Sequence, residues 1–310
     1  MNAKVAIVGA GKYLPEEKLD NQYFEKIVDT SDDWIVSRTG IKERRRATNE
    51  TANDLAYLAS VDAINSVNYD KNKIDLIIVA TITGELRTPS VANDVLRRLE
   101  IDHDLMSFDV NAACTGFNYA LDIAAKLLEG NKWRSALVIG SEKLTKVVDY
   151  EDRNTCVLFG DGAGAVILER TDNKEDEAYF YNSSTPDLKN SLYVDNHIHM
   201  QGQHVYVFAV DMMEKSIQRI LNVAGKKIEN VDLIIPHQAN KRIIQTVSKN
   251  LEIPLENFTM NMDRYGNTSA ASIPITIAEV FATITKPIKA LLVGFGGGLT
   301  WGSSIINLRR

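Results

Sequence analysis

Two stretches of this chain rhyme. Residues 155–170, TCVLFGDGAGAVILER, and residues 290–308, ALLVGFGGGLTWGSSIINL, each read as strand, glycine turn, strand. Each follows an apolar run of one type, IDLIIVATIT at 74–83 and VDLIIPHQ at 231–238. An apolar run without alternation reads as a strand covered on both faces. The repetition restricts the chain to a duplicated α/β unit, helices layered on mostly parallel sheets. The charged segment TDNKEDEA, 171–178, is the expected connection, which puts the halves at 1–170 and 171–310. Duplicated halves form a cleft at their junction, where ligands bind.

The remaining pattern fills in that frame. KVAIVGAG (4–11) reads as a strand and turn, and Ser31 reads as the N-cap of a helix in SDDWIVSRTG. TANDLAYLASVDAINSV places Leu55, Leu58, Ala59, Ala63 and Ile64 near helical period. SVANDVLRRL reads as a helix, and MSFDV and RSALVIGSE read as strands. HVYVFAVDMMEKSIQRILNVAG begins apolar and runs into a helix. NKRIIQTVSKNL and SIPITIAEVFATI read as two more, the second entered through Pro274.

With 310 residues, 45% of them hydrophobic, a sizeable core is expected. The net charge of -6 gives no global reason to expect nucleic acid or an anionic membrane as partner. No apolar run approaches the roughly 18 residues of a membrane span, and MNAKVAIVGAGKYLP reads as a first strand, not a signal peptide. Cys114 and Cys156 are the only cysteines, too few for a disulfide framework. A reducing compartment, the cytoplasm, is expected.

Four features carry chemistry. Cys114 sits in NAACTGF, where the strand MSFDV hands over to the helix NYALDIAAKLLEG. A helix start has unpaired amides and favours negative charge, so it can lower a thiol pKa and make a nucleophile. A packed thiol is the alternative. His237 leaves the end of VDLII, where α/β proteins place ligands; a hydrogen-bonded structural histidine is the alternative. His103, His197, His199 and His204 lack that context and show no metal-ligand spacing. Asn267, in RYGNTSAASIP, can donate an N–H to a developing oxyanion, or simply cap a turn. Gly294, Gly296, Gly297 and Gly298 let backbone N–H groups approach a ligand, or form a tight hairpin. A phosphate-binding loop is the weaker reading, since no Gly-x-x-x-x-Gly-Lys-Ser/Thr is present.

Cys114 in AACTGF, His237 in PHQAN, Asn267 in YGNTSAASIP and the GFGGGLTWG ending occur together and in this order. With GIKERR, SDDWIVSRTG, DRNTCVLFGDGAGAVIL and HMQGQHVYVFAV, they make the chain resemble the β-ketoacyl-acyl-carrier-protein synthase III family over nearly its whole length. That family comprises the initiating condensing enzymes of bacterial fatty-acid synthesis. The resemblance implies the thiolase fold, five αβαβα layers in two similar halves, and a homodimer. It implies an acyltransferase that loads an acyl group from acyl-CoA onto the cysteine, then condenses it with malonyl-acyl carrier protein. It implies no other cofactor and no metal.

Carried over residue by residue, Cys114, His237 and Asn267 would form the catalytic triad. The amides of Cys114 and Gly297 would form an oxyanion hole for the acyl carbonyl. Trp34 and Arg38 resemble the pair that sandwiches adenine, with Arg153 stacking from the other side. Gly202, Tyr206, Ala239 and Asn240 match positions along the pantetheine tunnel, and Arg242 and Lys249 match basic positions near its mouth. Arg242 is expected to serve coenzyme A and, with Lys249, the acidic carrier protein.

The chain also departs from the family pattern. Relatives commonly carry an aromatic residue before the Pro-Ser pair, lining the partner's acyl pocket; here it is Thr88, in LRTPSVAND. After Glu169 the chain reads NSSTPDLKNSLYVDN where relatives often have a glycine-rich loop. Both bear on which acyl primer is used. A degradative thiolase would need a second catalytic cysteine in a Cys-x-Gly motif near the C-terminus, which GFGGGLTWG lacks. A polyketide-type relative would keep the same triad, and a cysteine hydrolase would also use Cys and His.

Overall fold

The computed structural model describes residues 2–130 and 132–310. Nine strands form the main sheet. They are β1 (Asn2–Tyr13), β2 (Leu76–Ala80), β3 (Met106–Val110), β4 (Ser135–Glu142), β5 (Gly162–Arg170), β6 (Glu177–Ser184), β7 (Leu233–Pro236), β8 (Ile288–Gly296) and β9 (Thr300–Leu308). Their order is β7-β8-β9-β6-β1-β5-β4-β2-β3. The longer helices are α1 (Asp32–Thr39), α2 (Ala52–Ser66), α3 (Val91–Leu99), α4 (Gly116–Gly130), α5 (Gly202–Ala224), α6 (Lys241–Asn250) and α7 (Ser272–Phe281).

The two apolar runs are corresponding strands. β2 lies parallel to β3 and β4, and β4 turns back as an antiparallel pair with β5. β7 lies parallel to β8, and β8 turns back on β9. Every residue of β2 is buried, as a strand covered on both faces requires. Three apolar clusters define the layers. Phe117, Leu121 and Leu128 of α4 and Ile273, Ile277 and Phe281 of α7 fill the centre between strands of both sections. α2 and α3 cover one outer face through Leu55, Ala59, Val95 and Leu99. α5 and α6 cover the other through Ala209, Ile217, Ile243 and Val247. Because the central helices pack between two sections of this one continuous sheet, helices, sheet, helices, sheet and helices make five layers.

Local chemistry sets the helix starts that matter to the site. The Ser31 hydroxyl accepts the Trp34 amide at 3.2 Å and caps α1, which Gly40 ends in the left-handed region. The Asn240 side chain accepts the Arg242 amide at 2.8 Å and caps α6.

Two local readings need correction, and the start of one helix is placed earlier. The glycines of KVAIVGAG make no turn: β1 continues through them. A Cβ on Gly11 would lie 2.0 Å from the Ala63 amide nitrogen, so glycine is there to let α2 close on the strand. Residues 155–158 are not a strand. The Asp152 carbonyl accepts the Cys156 amide at 2.9 Å and its carboxylate accepts the Thr155 hydroxyl at 2.7 Å, winding the chain into turns before Phe159. The apolar HVYVFAV is already α5: Val205 and Ala209 are buried while Val207 is exposed, a helical and not a strand period.

Candidate active site

Cys114 lies between β3 and α4 in a single 3₁₀ turn, Ala113–Thr115. Ala113 adopts a φ of +46°, a left-handed kink that bends the chain sharply and delivers the sulfur to a cavity. The Thr115 hydroxyl donates to Thr300 Oγ1 at 2.7 Å, and Thr300 Oγ1 donates to the Gly297 carbonyl at 2.9 Å. The cysteine turn is thereby pinned to the glycine turn between β8 and β9. A Cβ on Gly296 would lie 2.9 Å from the Cys114 nitrogen, so only glycine admits this approach.

The thiol does not have the lowered pKa that a helix start suggests. Burial pushes it up to about 11, against the help of Ser269, and the nearby Glu142 raises it further. Desolvation outweighs the helix start here because the turn is a short 3₁₀ segment and the pocket is closely walled.

His237 follows β7, and its amide donates to the Val293 carbonyl at 2.8 Å. Its ring meets Phe295 edge to face, centroids 5.4 Å apart. Nδ1 is 2.6 Å from Ser272 Oγ, while Nε2 is buried without a hydrogen-bond partner. The Gln238 amide donates to the same Ser272 oxygen at 3.4 Å. In the tautomer with its proton on Nε2, the neutral ring accepts the Ser272 hydroxyl at Nδ1 and keeps Nε2–H as a free donor. Burial lowers the ring's pKa to about 3, so it is neutral at physiological pH. Desolvation has moved the ring's titration well below neutrality.

Asn267 enters through a bridge to Phe159, its amide donating to the Leu158 carbonyl at 2.8 Å. Its Oδ1 accepts the Ser269 amide at 2.9 Å, which leaves the NH2 end for the cavity.

One cavity of about 1330 Å³ joins these residues to the surface. Cys114, His237, Asn267 and Gly297 line its inner end. Trp34, Arg38, Gly202, Tyr206, Ala239, Asn240 and Arg242 line the rest. Arg153 lies outside the lining but stacks on Trp34, its guanidinium 4.7 Å from the ring centroid. Lys249 is exposed on the last turn of α6. Thr88 is exposed in the 84–89 loop and lines no part of this cavity. The segment after β6 does build a wall, through Ser184, Asp187, Asn190 and Leu192. Cys156 is buried in the α5 and α6 cluster.

Sequence reading missed Ser272, Ser269, Phe295 and Glu142. The first two sit in the SAAS run beside Asn267 and read as helix-start residues. Glu142 left a signal: an acidic residue closing the fully buried strand SALVIGSE. Among the described residues no helix is long and apolar enough to cross a membrane.

A family profile described as "3-Oxoacyl-[acyl-carrier-protein (ACP)] synthase III" matches residues 108–185, and its C-terminal counterpart matches residues 221–308. The chain is 50% identical over 308 residues to the β-ketoacyl-acyl-carrier-protein synthase III of Acholeplasma laidlawii, covering 99% of both proteins. It is 46% identical over 305 residues to the enzyme of that name from Aquifex aeolicus, covering 97% of this chain and 98% of the relative. The crystal structure of 3-oxoacyl-acyl-carrier-protein synthase III from Aquifex aeolicus superposes with a TM-score of 0.94 at 45% identity, over 99% of this chain and 100% of that one.

Proposed function

Because this chain belongs to the β-ketoacyl-acyl-carrier-protein synthase III family, an acyltransferase of thiolase-like fold that performs the initiating condensation of fatty-acid synthesis, we propose a role for each residue of its cavity. Cys114 is the acylated nucleophile. Its sulfur attacks the carbonyl of acyl-CoA, and the amides of Cys114 and Gly297 receive the oxyanion. Thiol-CoA leaves. Malonyl-acyl carrier protein then loses carbon dioxide, and its enolate oxygen accepts hydrogen bonds from His237 Nε2–H and the Asn267 amide. The enolate carbon attacks the acyl group on Cys114 and frees the sulfur. Donors already in place for a charge that forms only during reaction are the largest common source of rate.

One observation carries this reading. A neutral imidazole with a free, buried Nε2 shares a cavity with the cysteine and asparagine, and the same cavity runs out past Trp34, Arg38 and Arg242. That length suits a thin pantetheine arm, lying along Gly202, Tyr206, Ala239 and Asn240. Adenine enters between Trp34 and Arg153, replacing the stack these two make with each other, and Arg38 and Arg242 face the phosphates. Arg242 and Lys249, on the exposed face of α6, meet the acidic carrier protein despite the negative chain. Incubation with a panel of acyl-CoAs should add one acyl mass to the protein, and malonyl-acyl carrier protein should discharge it as β-ketoacyl product. Hydrolysis of the adduct at the same rate without carrier protein would point instead to a thioesterase.

The protein is also proposed to be a cytoplasmic homodimer. Both cysteines are free, as a reducing compartment allows. β3 ends the sheet with one neighbour only, and its first residue Met106 and Leu86 in the 84–89 loop are exposed. An unpaired edge of this kind is covered in stable proteins. Pairing through β3 carries Thr88 towards the acyl pocket of the second copy. Light scattering in solution should return twice the 34.5 kDa of one chain; a single-chain mass overturns the pairing.

A further inference from the structure

Glu142 is a buried charge that the steps above do not use. It ends β4 with no exposed surface. Its Oε2 accepts the Thr83 hydroxyl at 2.6 Å, the Ile82 amide at 3.2 Å and the Thr81 hydroxyl at 3.3 Å. Its Oε1 is buried with no partner. Leaving a buried carboxylate oxygen unpaired is costly. A fold that has supplied three donors to one oxygen and none to the other has kept the second free.

Ser269 stands between that carboxyl and the reacting sulfur. It lines the cavity beside Cys114, is buried, and holds a φ of +48°. Its turn, Ser269–Ala271, packs against both the Ala113–Thr115 turn and β4, which Glu142 ends, and its hydroxyl is buried without a partner; the serine favours ionisation of both groups. Cys114 and Glu142 also feel each other directly. Both ends of the path are thus protonatable, and the bridge is a hydroxyl that can accept from one and donate to the other.

We propose that Glu142, acting through Ser269, takes the proton of the Cys114 thiol as the sulfur attacks acyl-CoA. This rests on Cys114 being the acylated nucleophile. The thiol proton passes to Ser269 Oγ while the serine proton passes to Glu142 Oε1, and the bond from Cys114 Sγ to the acyl carbon forms. In the tetrahedral intermediate both sulfurs share that carbon, so the same hydroxyl reaches each. When the bond from carbon to the coenzyme sulfur breaks, the departing thiolate takes the proton back along the same path. Loading then ends with CoA as thiol and Glu142 ionised. In condensation the freed Cys114 thiolate takes up one solvent proton by this route, balancing the carboxylate lost as carbon dioxide.

His237 cannot serve this purpose: its Nδ1 is engaged by Ser272, and burial holds its pKa near 3, too weak a base for a thiol. Burial raises the Glu142 carboxyl to about 7, which brings its affinity for a proton close to the working pH. The titratable groups around it are few. Cys114 faces it from the 3₁₀ turn, and His237 lies across the cavity on the loop after β7. Lys143, next on its own chain, turns away to the Glu50 carbonyl at 2.7 Å, and Asp161 is held by Thr145 and the Ala47 amide. The threonines of the β2 loop are uncharged.

The test is the single-turnover rate of Cys114 loading from acetyl-CoA, followed by intact mass across neutral pH. In the wild type the rate should rise as pH passes through about 7, because the ionised carboxyl is the acceptor. Glu142→Gln should load about 100-fold more slowly and show no such rise. Ser269→Ala should do the same with Glu142 still present, and it carries the test alone if Glu142→Gln fails to give a native circular dichroism spectrum. Loading by either variant at the wild-type rate, or with the wild-type inflection, overturns the proposal. Mass added at a residue other than Cys114 in the wild type would instead overturn the nucleophile itself, so the two failures are distinguishable.

Discussion

Cys114→Ser is expected to leave a folded protein that no acyl-CoA can load, with turnover down by about 10⁴-fold or more. The substitution changes one atom in the wall of the cavity. Serine fits the same turn, keeps the Ala113 kink and the pinning of Thr115 to Thr300, and leaves the cavity open. What it removes is a nucleophile that both attacks a thioester readily and leaves again when the enolate arrives. A hydroxyl has a far higher pKa than a thiol, and no group in this cavity is basic enough to ionise it: His237 is held near 3 and Glu142 near 7. The measurement is intact mass after incubation with acetyl-CoA. An adduct of acetyl mass on the serine variant would show that the acyl group resides elsewhere.

Asn267→Ala should separate the two halves of the reaction. Loading of Cys114 should proceed near the wild-type rate, while condensation with malonyl-acyl carrier protein should fall roughly 10²–10³-fold, the usual result of removing one oxyanion donor. The reason is geometric. The oxyanion of loading is assigned to the amides of Cys114 and Gly297, on the pinned pair of turns, which the asparagine does not touch. The enolate oxygen is assigned to the Asn267 amide and His237 Nε2–H. Alanine deletes the donor together with the Oδ1 bond to the Ser269 amide, while the backbone of Asn267 stays in place through the Leu158 and Gly160 bonds. Equal loss in both steps would contradict the division. The same assignment predicts that condensation shows no His237 titration at mildly acidic pH. That ring gains a proton, and stops being the neutral donor, only as pH falls towards about 3.

The sequence carried the residues of the proposed triad but not their electrostatics. Cys114, His237 and Asn267 each sit at the end of a strand or before a helix, positions where side chains leave a rigid scaffold, and that is readable from local pattern. The thiol pKa is not. A helix start argues for a thiolate, while the surroundings that desolvate the sulfur come from the β8–β9 turn, more than 180 residues away in the chain. Ser272 and Ser269 were overlooked for a related reason. A serine near a helix start has a sufficient local explanation, and only the packed structure brings its oxygen to an imidazole or a thiol. The glycines of β1 misled in the opposite direction. Their flexibility suggested a turn, when their small size was what α2 needed.

The amino-acid pattern by itself determined the layered α/β plan, the correspondence of the two apolar strands, which cysteine and histidine follow strands and which asparagine precedes a helix. These follow from periodicity and local backbone preference, which act within a few residues. The tertiary structure alone decided that the three share one cavity, that the imidazole is neutral with Nε2 unpartnered, and that the buried carboxyl of Glu142 lies near the turn that carries the sulfur. Burial and through-space charge depend on which distant segments become neighbours, and no local stretch of sequence contains that information.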